Sequence, residues 1–468
     1  MATLNSAFSI ATGALEAAQS AINVIANNVS SASTPGYTTE LPQWQENVTV
    51  NIGGVDYGQG ATMTGPSSQR DLVLEQRIQQ QTQLQQDANA RYTALDQVQS
   101  IFSSATSTSS SSLDIGQSIT GFFSALSQLQ SNPSDPSLRQ SVLTAATTLV
   151  NAFHAASSQL SSQQNSVDHQ ADTIVSQVNS LTQTIAGLNQ KIAEMSPNGD
   201  AGQMEDQRQY DIEQLSQLVG IHQIQTEDNG LTITTANGAP LVVKDQAFSL
   251  NTALSGGVTH ISDAQGNDIT SGLEGAGGQL GGILTVRDQD IPQMQSALDT
   301  LAYDFGTALN VANQAGTDAN GNPGGLIFNL PAASAGAASQ ISVAISSGSQ
   351  IAAAASGNGP SDTSNLVSML QLQNQAIAGG TTASSYYSGF VSSLGSLVSQ
   401  VSTENTALQA SLTQLTTQRD SLSAVNLNDQ AALLENLQQT YQAASKVFTI
   451  LDTVMASALN LGVETSVS

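Results

Sequence analysis

The sequence of 468 residues contains no cysteine, few aromatic residues and few charged ones. Without cysteine the chain has no disulfide, no thiolate metal ligand and no cysteine nucleophile. Aromatic residues make up 4% and charged residues 10% of the sequence, and 36 Asp and Glu outnumber 10 Lys and Arg. The net charge of -26 repels nucleic acid and anionic lipid headgroups, so we expect neither as a partner.

Long apolar runs are also missing from the sequence. No run approaches the roughly 18 apolar residues that span a bilayer, so we expect no membrane insertion. The first residues lack a basic region, a continuous apolar core and an evident cleavage site, so we expect no cleaved signal peptide. If the chain leaves the cell, it needs another export route.

Catalytic and cofactor motifs are absent as well. None of the four histidines belongs to an HExxH sequence, no lysine follows a glycine as in a Walker A loop, and no GxSxG occurs. Asp318, Asn320 and Asn322 have the one-three-five spacing of a calcium loop. Pro323 and Asn329 occupy its sixth and twelfth positions, however, so this stretch is predicted to be a turn. We therefore expect no catalysis, no metal and no cofactor.

Each end of the sequence carries an apolar heptad pattern. Spacings of three and four residues are typical of a helix that packs along another helix. The N-terminal seam comprises Leu4, Phe8, Ala11, Leu15, Ala18, Ile22, Ile25 and Val29. The C-terminal seam comprises Leu434, Leu437, Tyr441, Ala444, Phe448, Leu451, Met455 and Ala458. Because neither helix buries its seam alone, we predict that the two termini pair as a coiled coil.

Between the ends the sequence predicts long helices and one β-rich region. Helices are expected over 71–102, 115–129, 136–166, 167–195, 203–219, 278–314 and from residue 361 onward. In the last of these, Leu394, Val401, Leu408, Leu415 and Leu422 recur every seven residues. Short β-rich runs separated by Asn-Gly or similar turns predict an antiparallel meander over 221–272. Residues 38–70 are predicted to form a small hairpin or an extended connector.

The predicted fold class is therefore mainly α with an inserted small β domain. We expect a terminal coiled-coil core domain (1–70 and 425–468) and a long-helix bundle domain (71–202 and 361–424). An outer domain (203–360) contains the antiparallel β-rich region. Because this β region interrupts a helical chain, we expect it to project outward.

The first helix is followed by a distinctive stretch, ANNVSSASTPGY at 26–37, in which Pro35 and Gly36 stop the helix and turn the chain. This stretch resembles the signature of the bacterial flagellar axial proteins, the family of rod, hook and hook-associated proteins. That signature reads approximately ANN, then small residues, then TPGY. The resemblance is carried by Asn27, Asn28, Thr34, Pro35, Gly36 and Tyr37.

Interior stretches resemble the hook-associated members of this family, and in particular the first of the two hook-filament junction proteins. They are MEDQR at 204–208, GQLGGILTVR at 278–287, AGTDANG at 315–321 and SAVNLND at 423–429. The resemblance implies a structural, non-enzymatic subunit of a junction ring in the extracellular flagellum. It also implies export, in an unfolded state, through the flagellar type III channel.

The resemblance further implies four partners: other copies of the chain, the hook protein, the second junction protein and an export chaperone. The assembly contacts would be formed by the seams, from Leu4, Phe8, Leu15, Ile22, Ile25 and Val29 at the N-terminus. At the C-terminus, Leu434, Leu437, Tyr441, Phe448, Leu451 and Met455 would serve both assembly and the chaperone. Alternative interpretations are another axial protein such as a hook or rod protein, a secreted coiled-coil adhesin, or a cell-wall glycosidase.

Overall fold

Helices dominate the computed structural model, which describes residues 2–52, 54–102, 114–195, 201–227 and 229–464. The long helices are α1 (Ala2–Ser31), α2 (Leu72–Phe102), α3 (Ile115–Ser131), α4 (Pro136–Met195) and α5 (Gln203–Leu218). Two short ones follow, α6 (Thr270–Leu273) and α7 (Gly278–Thr285). A π-helical turn (Val286–Asp290) joins α7 to α8 (Ile291–Gln314). The chain then forms α9 (Ala337–Gln340), α10 (Ser364–Gln371), α11 (Ala383–Ser423) and α12 (Leu427–Glu464).

The strands form small antiparallel sheets. Near the N-terminus β1 (Glu40–Glu46) pairs with β4 (Ala61–Ser68), and between them β2 (Val50–Ile52) pairs with β3 (Val55–Tyr57). A four-stranded meander comprises β5 (Ile221–Gln225), β6 (Leu231–Thr235), β7 (Pro240–Val243) and β8 (Gln246–Ala247). A hairpin of β9 (Asn251–Ser255) and β10 (Val258–Ser262) follows it. Further two-residue strands follow in the described part of the chain: β11 (Gly316–Thr317), β12 (Phe328–Asn329), β13 (Ser342–Val343) and β14 (Ala354–Ala355).

The fold class predicted from the sequence is confirmed. The chain is mainly α, α1 packs against α12, and the sheets are small and antiparallel. The heptads of α11 also have a partner, because α11 packs along α2. Two helix predictions were wrong. The helix expected from residue 361 onward is interrupted between α10 and α11, where Gly379 and Gly380 adopt positive φ. The predicted helices 136–166 and 167–195 form the single helix α4. The polar stretch 161–166 contains neither proline nor glycine, so nothing in it ends the helix.

One hydrophobic core runs through the body of the molecule. Phe122, Phe153 and Phe305 are fully buried within it, and the rings of Phe122 and Phe305 lie edge to face with centroids 6.0 Å apart. The same core includes Leu95 of α2 and Ile233 of β6. Helices of the predicted bundle and strands of the predicted outer domain therefore share buried contacts. The domain boundaries given above stay a prediction.

Helices α2 and α7 approach each other closely at Asp87. A Cβ atom added to Gly281 or Gly282 would collide with Asp87, so only glycine allows this approach. Burial raises the pKa of the Asp87 carboxyl to about 6, although the backbone N–H of Gly277 and the charge of Arg91 act to lower it. Asp87 Oδ2 has no hydrogen-bond partner among the described residues. This carboxyl is thus held in a place that favours its neutral form.

Candidate functional site

The two termini of the chain form one helix pair. The rings of Phe8 in α1 and Phe448 in α12 lie 4.6 Å apart between centroids. Ala11, Ala18 and Ile25 are buried in the pair. The larger seam residues are only half-buried: Leu4, Phe8, Leu15, Ile22, Leu434, Leu437, Phe448, Leu451 and Met455. The predicted seam residues Val29 and Tyr441 are 45% and 38% exposed, so they contribute least to the pair.

A second apolar surface of α12 is exposed in the part of the chain that the structure describes. Val447, Ile450 and Val454 are 50%, 62% and 46% exposed. Their spacing of three and four residues places them on one side of the helix, next to the seam. We call these three residues the α12 stripe. Exposed aliphatic side chains in a row are typical of a surface that meets another chain.

Asn28, from the stretch after the first seam, is fully buried and holds four groups at once. Its Nδ2 donates to the carbonyl oxygen of Glu40 over 2.8 Å and to Oε1 of Gln430 over 2.9 Å. Its Oδ1 accepts from the backbone N–H of Glu40 over 3.0 Å and from the hydroxyl of Tyr37 over 2.8 Å. Both ends of one amide thereby connect α1, β1 and the start of α12.

Tyr37 keeps its proton in this arrangement. Burial, together with the nearby charges of Glu40 and Asp206, raises the pKa of the Tyr37 hydroxyl above its ordinary value of 10.0. The neutral hydroxyl can therefore donate to Asn28 Oδ1. The preceding Gly36 has φ +77°, and a Cβ atom there would lie 2.9 Å from Cβ of Tyr210 in α5. The Pro-Gly turn is thus pressed directly against the body of the molecule.

A buried carboxylate of α5 holds the chain after this turn. Asp206 is 4% exposed and accepts from the backbone N–H of Thr38 over 3.0 Å, as well as from the Thr38 hydroxyl. Arg70, at the end of the β4 connection, pairs with Asp206 and, over 3.0 Å, with Glu205. Hydrogen-bonded pairs of guanidinium and carboxylate are the strong kind of polar contact when buried.

The connection from α11 to α12 passes the same place as the connections from α1 to β1 and from β4 to α2. The backbone N–H of Thr39 donates to the carbonyl oxygen of Ser423 over 2.8 Å, at the end of α11. The Ser423 hydroxyl donates over 2.8 Å to the carbonyl oxygen of Gln69, whose own N–H donates over 2.9 Å to Thr39. All three passages between the helix pair and the body therefore meet at one point. We call this region, Asn28 together with residues 36–40, 68–70, 205–210 and 423–430, the joint.

The structure brings together only part of what the sequence suggested. Asn28, Gly36 and Tyr37 of the signature lie in the joint, whereas Asn27 is exposed and makes one long contact of 3.4 Å to the Tyr37 hydroxyl. Sequence reasoning missed Arg70, Asp206 and Gln430 as members. The one available signal was that Asp206 and Gln430 lie in or next to the stretches that carried the resemblance.

The turn at Asp318 has the geometry of a closed loop. Asp318 Oδ1 accepts from the backbone N–H groups of Asn320 and Asn322, each over 2.8 Å. The predicted turn is therefore present. In the parts of the chain that the structure describes, no group of three or more His, Asp and Glu residues is placed to hold a metal ion. Within those same parts no helix is both long and apolar enough to cross a membrane.

Comparison with known proteins identifies this architecture. The family model described as the flagellar hook-associated protein FlgK helical domain matches residues 95–328, which is half of the chain. A second model, for the flagella basal body rod protein, matches residues 8–38, the region of α1 and the signature. Together these matches connect the body with one family and the N-terminal helix with the wider axial class.

Curated relatives align with the chain over nearly their full length. The flagellar hook-associated protein 1 of Escherichia coli (strain K12) is 26% identical, and the alignment covers 98% of this chain and all of the relative. The protein of the same name from Bacillus subtilis (strain 168) is also 26% identical, with 96% of each chain covered. The structure of the flagellar hook junction protein FlgK from Burkholderia pseudomallei has a TM-score of 0.67 and 21% identity. It covers 74% of this chain and all of its own, and shows that the two share a fold.

Because both matching models describe flagellar proteins, the paired terminal helices and the helical body belong to a protein of the flagellar class. Within that class, the chain belongs to the flagellar hook-associated protein FlgK family. It is a structural protein of the bacterial flagellum and assembles there with hook components.

Proposed function

We propose that the chain joins hook to filament as a subunit of a junction ring, and that its paired terminal helices make the contacts of that ring. One observation carries the proposal: the large side chains of both seams, with the exception of Ile25, stay at least partly exposed when α1 and α12 pack together. Apolar helices that stay partly exposed in one subunit gain stability when further helices pack on them. Assembly is the event that supplies those helices.

The assembly residues of the proposal are those of the two seams. The helix pair is held together by seam residues of both helices: Leu4, Phe8, Leu15, Ile22, Ile25, Leu434, Leu437, Phe448, Leu451 and Met455. The α12 stripe lies beside them and is available to neighbouring subunits. Val29 and Tyr441 are exposed at the edges of the pair, where an adjacent subunit can cover them. The joint then holds the body in a fixed position relative to the ring, because its buried hydrogen bonds fix the helix pair against α5.

The partners proposed for the ring are other copies of the chain, the hook protein and the second junction protein. We also propose that the chain leaves the cell unfolded through the flagellar type III channel. An export chaperone would cover the C-terminal seam before export. The acidic, cysteine-free composition agrees with this route, because refolding outside the cell requires no disulfide formation.

Deletion of the gene tests the proposed function. Electron microscopy of the cells should show hooks without filaments, and flagellin should accumulate in the medium because it has no junction on which to polymerise. A plasmid copy of the gene should restore both filaments and swimming. Cells that lack hooks as well would indicate a hook or rod protein. Cells with intact filaments and normal swimming would refute an axial role altogether.

A further inference from the structure

The β2–β3 hairpin has an uncovered apolar face. Val50 lies opposite Tyr57 in the ladder, and Val55 lies on the same side as Tyr57 because strand side chains alternate. Val50, Val55 and Tyr57 are 45%, 55% and 47% exposed. We call these three residues the hairpin face. An isolated two-stranded hairpin is marginal in water, so an apolar face of this kind needs a surface to pack on.

The other face of the same hairpin is polar. Asn51 and Asp56 lie opposite each other there, and Asn51 Nδ2 donates to Asp56 Oδ1 over 2.7 Å. A carboxylate on the polar side disfavours contact with anionic lipid, as does the net charge of the chain. The hairpin is thus amphipathic and suits a protein surface.

The base of the hairpin lies beside the N-terminal part of α1. Gln59 Nε2 donates to the Ser6 hydroxyl over 3.0 Å, and a Cβ atom added to Gly60 would lie 3.3 Å from Cγ2 of Ile10. Asn47 closes the base by donating its backbone N–H to the carbonyl oxygen of Gly60 over 2.9 Å. The base of the hairpin therefore lies beside α1 near Phe8, which meets Phe448 of α12.

The α12 stripe lies close to Phe448 along the same helix. Val447 precedes Phe448 directly, and Ile450 and Val454 follow within two turns. Each of the two apolar surfaces is exposed in the same subunit, so neither is covered by the other. Subunits placed side by side around a common axis would bring the hairpin of one to the height of the stripe of the next.

We propose that the hairpin face of one subunit docks on the α12 stripe of a neighbouring copy of this chain. The inference rests on the proposed ring assembly. The two surfaces differ, so the contact is head-to-tail: each subunit offers its hairpin on one side and accepts another hairpin on the opposite side. A contact of this type continues from subunit to subunit until the ring closes.

Engineered cysteines test the contact without interference, because the chain has none of its own. The double variant Tyr57→Cys with Ile450→Cys, oxidised in isolated flagella, should give a ladder of cross-linked species of this chain. Each single variant should give no ladder, since it offers only half of the contact. The matched control, Asp56→Cys with Ile450→Cys, places its thiol on the polar face and should give at least about tenfold less product, because the two Cβ vectors then point apart.

The outcomes separate this inference from the proposed function. Cells of the double variant that swim and carry filaments, but yield no ladder or as much from the control, would overturn the hairpin contact and leave the junction role intact. A cross-link to a different flagellar protein in place of a ladder would overturn it as well. Failure of the proposed function shows independently, as normal filaments in the deletion strain.

A pair of charged substitutions tests the contact between the hairpin face and the α12 stripe if the cysteine variant does not assemble. Val55→Lys and Ile450→Glu should each reduce the number of filaments per cell about tenfold or more, because each places an unpaired charge in an apolar contact. The two together should restore most of the filaments, because the charges then face each other across the interface. Two impaired single variants without restoration in the double would contradict the contact.

Discussion

The side chain of Asn28, at the end of the first helix, donates a 2.9 Å hydrogen bond to that of Gln430, at the start of the last helix, 402 residues away. Both side chains are buried, at 0% and 3% exposure. The bond fixes the register of α1 against α12 at the point where the helix pair meets the body. The axial signature thus has a structural role in this chain, because it contributes Asn28, which connects the first helix with the last.

Replacement of Asn28 by alanine should destabilise the chain by at least about 2 kcal/mol, because four polar groups lose their partner in a buried place. The matched control is the neighbouring Asn27→Ala, an exposed position at which we expect less than about 0.5 kcal/mol. Urea denaturation of the purified variants, followed by circular dichroism, measures both values. Equal effects of the two substitutions would contradict the role assigned to Asn28.

Replacement of Gly36 by alanine should cost about 1–3 kcal/mol, from a positive φ and from a collision with Tyr210. Gly54→Ala is the control, because Gly54 has φ +88° and nothing within 4 Å of its added Cβ, so it reports backbone strain alone. Adding Tyr210→Ala to Gly36→Ala should relieve part of the cost. If thermal unfolding shows the same loss for Gly36→Ala and Gly54→Ala, the close packing of the turn on α5 is unimportant.

Asp87 should make the stability of the body depend on pH. Its pKa in the fold is about 6, above the ordinary 3.8, so folding favours the protonated form. The contribution of the Asp87 carboxyl to the stability of the fold is fully present below pH 4 and is lost as the pH rises through 6. Asp87→Asn, which cannot ionise, should therefore be more stable than the natural chain at pH 8 by about 1–3 kcal/mol and should differ little at pH 4.

The control for this measurement lies on the same helix. Asp96 of α2 is exposed, and Asp96→Asn should leave the change of unfolding free energy between pH 4 and 8 as it is in the natural chain. Denaturation midpoints at several pH values give the comparison. An Asp87→Asn variant that keeps the full pH dependence of the unfolding free energy would show that other groups determine it.

Replacement of Phe448 by aspartate should block assembly, because an unpaired charge in the contact with Phe8 is costly. Phe448→Leu keeps the side chain apolar and should support filaments. Swimming on soft agar and counts of filaments per cell by electron microscopy compare the two. Secretion of both variants into the medium must also be compared, because a chain that is not exported gives no information on packing. Normal junctions with the aspartate variant would refute the seam.

Local patterns in the sequence predicted the helices, the meander and the pairing of the termini, because heptad spacing and strand alternation depend only on neighbouring residues. The joint could not be predicted in the same way. It is formed by Asn28, Asp206 and Gln430, which are far apart in sequence, and no periodicity marks a buried polar residue. The continuity of α4 was missed for a related reason: a change from apolar to polar residues alters the packing face of a helix but does not end it.

The single helix α4 also sets a distance. Near its start, Arg139 donates over 2.6 Å to the carbonyl oxygen of Ile351, and near its end Asn189 accepts over 2.9 Å from Arg208, two residues beyond Asp206. The fifty residues between these contacts span about 75 Å at 1.5 Å each. The continuous helix thus fixes the separation of these two contacts along its axis. Removal of seven residues would shorten it by about 10 Å and keep nearly the same face toward the core, whereas removal of two would turn that face by about 200°. The reach of the body away from the helix pair can therefore change only in steps of whole helical turns.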